Sequence, residues 1–211
     1  MTELTDNILQ LICVIVCGCC SCISAINKKS FNRLLVSLFY LSFGMGLVYW
    51  VLYLVLFGTS PLVFCVSELS WTASYIFLAL RLYTDMPCEK QNNKIIFWIL
   101  PVFSFVMCVF FCARGSYFEN VLMGTAMGIL GFCAVKGIYL VKAEKLVGKA
   151  GIFWAALLFY AAEYLLWISS YFITENTFVN PYYLVDIFIL NPALILIAVA
   201  QSKEEKLCRT T

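Results

Sequence analysis

One long apolar run carries an acidic residue with aromatic residues at helical spacing around it. Glu163 lies near the centre of the run, and Tyr164, Trp167 and Tyr171 follow it on nearby turns. A carboxyl group in a segment that crosses lipid is costly, so by default such a residue marks a function or a buried structural contact. This segment is therefore the first candidate for a functional site.

Two other apolar runs also carry acids near one end. Glu68 is followed by Trp71 and Tyr75 at i+3 and i+7, and Asp186 precedes Asn191 in the last run. Carboxylates and the faces of aromatic rings both attract cations in a desolvated pocket. Together with the residues around Glu163, these side chains predict a pocket for a small polar or cationic ligand.

Simpler interpretations of the same residues remain open. Glu68 and Asp186 lie close enough to a membrane surface to be solvated there, and Glu163 would serve packing alone as a neutral, hydrogen-bonded carboxyl group. Lys136 either extends to the membrane interface or forms a buried ion pair with Glu163. Aromatic stripes are also typical of helix packing and of interfacial belts, as for Trp50 near the end of its run.

Proline and glycine predict where helices bend or meet. Pro192, in the middle of the last run, removes a backbone donor and frees a carbonyl near Phe188, which predicts a hinge or a fixed kink. Pro101 predicts a kink in the fourth run. Gly124, Gly128 and Gly131 predict a close contact with another helix, in the same chain or in a second copy.

The composition identifies the class of protein. The 211 residues are 63% hydrophobic and 12% charged, which is more apolar surface than a water-soluble core can bury. The mean hydropathy is +0.93. A net charge of +2, with the basic residues in short clusters, argues against a nucleic-acid partner. The chain is predicted to be an all-α, polytopic membrane protein in contact with the lipid bilayer.

Seven runs are long enough to cross about 30 Å of hydrocarbon. They are placed at 8–27, 34–57, 62–83, 95–113, 121–141, 152–173 and 182–200. Lysine and arginine concentrate in alternate loops and in the tail, which by the positive-inside rule places the amino terminus outside and the carboxyl terminus in the cytoplasm. The first run lacks a basic leader and a cleavage site, so it is expected to be a retained helix.

A weak internal repeat suggests a three-plus-one-plus-three plan. A shift of 118 residues places Tyr53 on Tyr171 and Glu68 on Asp186. The predicted single domain, 1–211, would then contain half-repeats 8–83 and 121–200 joined by a connector helix, 95–113. Chance similarity between leucine-rich and aromatic segments is the alternative.

The remaining residue types argue against several chemistries. The chain has no histidine, and most of its 11 cysteines lie in apolar runs, where a thiol packs as a small hydrophobic group. No metal site, cofactor or catalytic residue is predicted, and the chain is expected not to be an enzyme. A membrane-embedded enzyme that uses carboxylates alone is a third alternative.

Two segments resemble a known family of membrane modules. The stretch from Gly46 through the Gly58–Pro61 loop to Glu68 and Tyr75 is similar to the stretch from Ala162 through Asn180 to Asp186. Both look like the duplicated multi-pass sensory modules that precede diguanylate cyclases and kinases in bacteria. The resemblance implies a ligand-sensing or accessory protein of the bacterial plasma membrane, here without an output domain.

The sequence therefore predicts a ligand-binding helical bundle in a sensory or accessory role. Its partners would be a small polar or cationic ligand and a cytoplasmic or membrane protein, with oligomerisation left open. The alternative is a small-solute transporter, whose plan is similar to that of small sugar carriers of the SWEET type. A transporter would need Glu163 and the kink at Pro192 to face a path open to each side in turn.

Overall fold

The computed structural model describes residues 2–61, 66–86, 94–143, 150–173, 177 and 179–207, with side chains up to Lys203. This part of the chain is all-helical. Several basic residues that defined the predicted loops lie outside the described residues, or have side chains outside them: Lys90, Lys145, Lys149, Lys206 and Arg209.

Seven helical elements, numbered here α1 to α7, follow one another along the described chain. The first six are Thr2–Lys28 (α1), Phe31–Phe57 (α2), Val66–Asp85 (α3), Ile99–Cys112 (α4), Tyr117–Ala143 (α5) and Ala150–Phe172 (α6). The last, α7, consists of the consecutive segments Pro181–Val185, Asp186–Leu190 and Asn191–Leu207. These bounds overlap the predicted runs, but α1, α2 and α5 begin three to six residues earlier and α7 ends seven residues later.

Within the described residues, six of these helices are long and apolar enough to cross a membrane, if α4 is counted together with the 3₁₀ turn Ile95–Trp98 that precedes it. The helix outside this set is α3, which coincides with the predicted third span. It carries Glu68, Arg81 and Asp85 within its 20 residues, which lowers its hydropathy. The chain is thus a multi-pass membrane protein with six long apolar helices, and a seventh span at α3 remains a prediction.

The helix ends use local backbone signals. Gly58 follows α2 with φ 70°, a left-handed conformation that glycine adopts without steric strain, and its N–H donates to the Leu54 carbonyl at 3.0 Å. Asn180 caps α7, since its side chain accepts a hydrogen bond from the backbone N–H of Tyr182, and Pro181 occupies the first turn.

The glycine face of α5 packs within this chain. A Cβ on Gly124 would lie 2.8 Å from the Cβ of Cys108 in α4, and one on Gly131 would lie 2.8 Å from Leu100 and 2.9 Å from Tyr160. The close contact predicted from the glycine spacing is therefore made with α4, and at Gly131 also with α6. The helix α4 packs on α5.

The helix α7 contains a π-helical turn directly before its proline. The N–H of Asn191 donates to the carbonyl of Asp186, five residues back, and Pro192 follows. Proline has no N–H to give, so the usual bond to residue 188 cannot form. Pro101 behaves differently: it lies in the first turn of α4, after the 3₁₀ turn Ile95–Trp98, where few backbone bonds are lost.

A buried aromatic layer fills the middle of the bundle. The ring of Phe159 packs against Phe39, Phe43 and Tyr75 with centroid distances of 5.5, 6.0 and 5.7 Å. The hydroxyl of Tyr40 donates to the carbonyl of Leu194 in α7 at 2.5 Å. This layer separates the two ends of the bundle.

Candidate functional site

A cavity of about 610 Å³ lies at the end of the bundle where α1 begins and α2 ends, called here the acidic cavity. Side chains of α1, α2, α3, α5, α6 and α7 line it, whereas α4 contributes none. The lining reaches as deep as Phe43, Glu163 and Leu190, where the aromatic layer begins. At 1.5 Å per residue, Glu163 lies about 14 Å along α6 from the end of that helix.

Carboxyl groups dominate the polar lining. Five acids from five helices face the cavity: Glu3, Glu68, Glu119, Glu163 and Asp186. No lysine or arginine lines the cavity among the described residues. Like charges repel, so acids that face one cavity reduce their repulsion by taking up a proton or a cation.

Glu163 is held by a hydrogen bond from a neighbouring helix. The hydroxyl of Tyr75 in α3 donates to its Oε2 at 2.8 Å, and the Tyr75 side chain is buried. A carboxylate has capacity for about four hydrogen bonds, so the second oxygen of Glu163 remains available to a ligand. The tyrosine thus positions the acid at the floor of the cavity.

Asp186 connects α7 to α1. It is buried, and its Oδ1 accepts a hydrogen bond from the side-chain amide of Gln10 at 2.5 Å. The carboxyl group of Asp6 lies beside that of Asp186. Asp6 is only 3% exposed, and neither of its oxygens has a hydrogen-bond partner in the described part of the chain. Two adjacent buried carboxyl groups need a proton or a cation between them.

Glu3 and Glu68 are partnered near the mouth of the cavity. The Oε1 of Glu3 accepts hydrogen bonds from the indole N–H of Trp50 at 3.1 Å and from the hydroxyl of Ser60 at 2.9 Å. The hydroxyl of Ser67 donates to Glu68 at 2.9 Å. Glu3 therefore joins the start of α1 to the end of α2 and its loop.

Aromatic side chains form the walls. Trp71 packs against Trp50 with a centroid distance of 5.6 Å, and Trp167 lies on the opposite helix α6. The indole Nε1 of Trp71 is buried and has no hydrogen-bond partner in the described residues. Indole rings beside carboxylates are the arrangement that favours an organic cation.

Six of the nine residues predicted to bind a ligand line the acidic cavity: Glu68, Trp71, Tyr75, Glu163, Trp167 and Asp186. The other three lie beside it. Tyr164 packs against Phe103 of α4 at 5.0 Å, and Tyr171 lines a smaller neighbouring cavity. Asn191 is buried one turn below Asp186, with no partner for its side-chain amide in the described region.

Lys136 does not pair with Glu163. Its Nζ lies 5.4 Å from the ring centroid of Phe132, on its own helix, while Glu163 is bonded to Tyr75. The ion pair considered from the sequence is therefore not formed within the described residues. Pro192, the predicted hinge, lies just below the π-helical turn that begins at Asp186.

Several cavity residues were missed in the sequence. The segment 1–7 was expected to precede the first span, but α1 begins at Thr2 and turns Glu3, Asn7 and Gln10 toward the cavity. The spacing of these residues, at i, i+4 and i+7, is a helical signal that could have revealed them. Glu119 at the start of α5 was also missed, and Trp50, considered from the sequence as part of an interfacial belt, lines the cavity together with Tyr182 and Tyr183.

The polar groups that line the cavity are carboxyl, amide, hydroxyl and indole groups. No group of three or more histidine, cysteine or acidic side chains is arranged to hold a metal within the described residues. Carboxylates, indoles and tyrosines can attract and orient a cation. Comparisons with protein-family models, with curated proteins and with solved structures gave no match.

Proposed function

We propose that this membrane protein binds a small cationic or polar ligand in the acidic cavity, in a sensory or accessory role. The observation that carries the proposal is the lining: five carboxyl groups and no described basic residue around one space of about 610 Å³. Asp186 is buried among these acids, and a buried acid without a counter-charge is costly, a cost that a bound cation would lower. Three indole rings, of Trp50, Trp71 and Trp167, favour an organic cation over a hydrated metal ion.

The shape of the site supports binding from one side. The cavity lies at one end of the bundle, and the buried rings of Phe39, Phe43 and Phe159 close it from the other half. In the orientation predicted from the lysine and arginine clusters, with seven spans, this end faces the outside of a bacterial plasma membrane. A ligand would then arrive from outside, and the cytoplasmic loops around Lys94 and Lys142 would contact a protein partner.

The proposal is tested by thermal unfolding of the protein in lipid nanodiscs with two matched probes. Hexylammonium carries a positive charge, and hexanol is its neutral analogue. We expect hexylammonium to raise the unfolding temperature, because a ligand that binds only the folded state stabilises it by about 2.7 kcal/mol at 100 times its Kd. Hexanol should have little effect.

The variant Glu163→Gln provides the matched comparison. The amide can still accept the hydrogen bond from Tyr75, so the fold is retained while the charge is lost. It should lose most of the stabilisation by hexylammonium, whereas Lys136→Gln, which removes a charge outside the cavity, should keep it. Equal shifts with hexanol and hexylammonium, or in Glu163→Gln and wild type, would contradict the proposal.

A carrier for the same ligand is the second candidate, favoured by the π-helical turn of α7. This turn, Asp186–Leu190, begins at a cavity acid and ends just before Pro192, at the level of the aromatic layer. Such turns occur at functional sites and can change register. A carrier would transport hexylammonium into proteoliposomes and lose flux in Glu163→Gln, whereas a sensor would bind the probe without transporting it.

A further inference from the structure

A second, smaller cavity adjoins the acidic cavity. It measures about 260 Å³ and is formed by the α4–α5 loop and the end of α6. Glu119, Trp167 and Ser170 line both cavities. The two spaces are therefore direct neighbours that share these three side chains.

The smaller cavity contains a guanidinium group. The Arg114 side chain stacks on Phe110, with 3.9 Å between its Cζ and the ring centroid, and lies 5.4 Å from the ring centroid of Tyr171. Within the described residues, no carboxylate lies within ion-pair distance of Arg114. A guanidinium that stacks by its face keeps its N–H edge free, and that edge matches the geometry of a carboxylate or phosphate.

The position of Arg114 is unusual for this chain. It is the only basic residue in the loops at this end of the bundle, which span Gly58–Pro61, Arg114–Asn120 and 174–181. Acids thus line the larger space, and the smaller one beside it is lined by Arg114 together with Glu119. The charge pattern is that of a site for a molecule with both signs of charge.

We propose that the ligand is a zwitterion whose ammonium group binds among the carboxylates and whose carboxylate or phosphate group binds Arg114. This inference rests on the proposed function, because it assigns the cationic end of the ligand to the acidic cavity. From Glu163 to Tyr171, the distance along α6 is about 12 Å, so the two charges of the ligand are expected to be separated by a distance of that order. If the ammonium group binds Glu119, which lines both cavities, the two charges of the ligand would be closer together.

Two sources offer this chemistry: a soluble amino-acid-like molecule and the headgroup of a phospholipid such as phosphatidylethanolamine. Both carry an ammonium group and an anionic group on one short chain. The experiment therefore uses two lipid compositions to distinguish them.

The test is calorimetric titration of the full-length protein in phosphatidylglycerol nanodiscs with two probes. Hexylammonium has only the cationic group, and 6-aminohexanoate has the same chain with a carboxylate. We expect 6-aminohexanoate to bind about tenfold more tightly in the wild type, since a hydrogen bond to a charged group contributes at least that factor. Arg114→Gln should remove this difference without weakening the binding of hexylammonium.

Two further variants complete the comparison. Glu163→Gln should weaken both probes, and Lys142→Gln, which removes an exposed charge at the opposite end, should weaken neither. Equal binding of the two probes to the wild type would overturn the zwitterion and leave the cation site standing. Failure of both probes to bind would instead overturn the proposed function itself.

The second lipid composition identifies the source. If the headgroup is the occupant, 6-aminohexanoate should bind at least several-fold more weakly in nanodiscs that contain phosphatidylethanolamine. If a soluble molecule is the occupant, the affinity of 6-aminohexanoate should be the same in both lipid compositions. Either result supports a zwitterion, provided that Arg114→Gln removes the preference for 6-aminohexanoate over hexylammonium.

Discussion

Glu163 shows which parts of the site follow from residue types alone. A carboxyl group at the centre of an apolar run, with aromatic residues on the same face, was enough to predict a polar pocket there. Its partner could not be predicted, because Tyr75 lies 88 positions away in the chain. The pair formed by Gln10 and Asp186 is even more distant, with 176 positions between its members.

The Gln10 amide is expected to contribute to stability as well as to the site. Replacing Gln10 with methionine keeps the volume of the side chain but leaves the buried Asp186 carboxyl without its donor. An unsatisfied buried acceptor costs about 1–3 kcal/mol, so the unfolding free energy should fall by that amount. Chemical denaturation in nanodiscs or mild detergent measures this change.

Leu9→Met is the control for that substitution, since Leu9 directly precedes Gln10 on the same helix and its side chain is 48% exposed. It should alter stability by less than about 0.5 kcal/mol. A loss of the same size in both variants would mean that the Gln10–Asp186 hydrogen bond contributes nothing.

At the scale of elements, small residues and prolines were partly predictive. The spacing of Gly124, Gly128 and Gly131 predicted a close helix contact, and α4 makes it. Pro192 predicted a disturbed helix, but the sequence could not show that the disturbance would be a π-helical turn bonded from Asn191 to Asp186. That outcome depends on how α7 packs against its neighbours, which local sequence does not encode.

The closest helix contact lies at a glycine that the sequence did not single out. A Cβ on Gly137 would lie 2.0 Å from the ring of Phe153, which is fully buried in α6. Gly137→Ala should therefore force α5 and α6 apart and destabilise the protein by about 1–3 kcal/mol. The thermal unfolding temperature should fall accordingly.

Gly128→Ala serves as the comparison on the same helix. The nearest atom to a Cβ there is 3.6 Å away, an ordinary contact distance. This variant should unfold close to the wild-type temperature. Equal losses in the two variants would show that helix propensity or lipid contacts, and not the approach to Phe153, decide the effect.

The internal repeat remains a prediction. Glu68 and Asp186, which the 118-residue shift superposes, are both buried and line the same cavity. Met45, the counterpart of Glu163, is 55% exposed on the outer surface of the bundle. The two halves thus agree in one pair of acids and differ in the other position.

The fold class of the whole molecule can be predicted from composition more directly than the position of its site. An apolar content of 63% and alternating basic loops predicted an all-helical membrane protein, and the described residues form six long apolar helices. The acidic cavity could not be located in advance, because its acids come from five helices whose arrangement depends on tertiary packing. The first turns of α1 were placed before the predicted run 8–27 because residues 2–7 are mostly polar.

The orientation and the seventh span can be tested together with topology reporters. Alkaline phosphatase is active only outside the bacterial cytoplasm, so a fusion after Gly58 should be active and a fusion after Lys29 inactive. A fusion after Met86, beyond α3, should also be inactive if α3 crosses the membrane. An active fusion after Met86 would mean that α3 does not span, and activity after Lys29 would reverse the orientation.

The central claim is that the acidic cavity holds a cation, and native mass spectrometry tests it most directly. The wild-type protein and Glu163→Gln are released gently from the same membranes and measured side by side. The account predicts that the wild type carries a bound molecule with an ionised ammonium group and that the variant has lost it. If both proteins carry only the same lipids, Glu163 is structural and the claim is wrong.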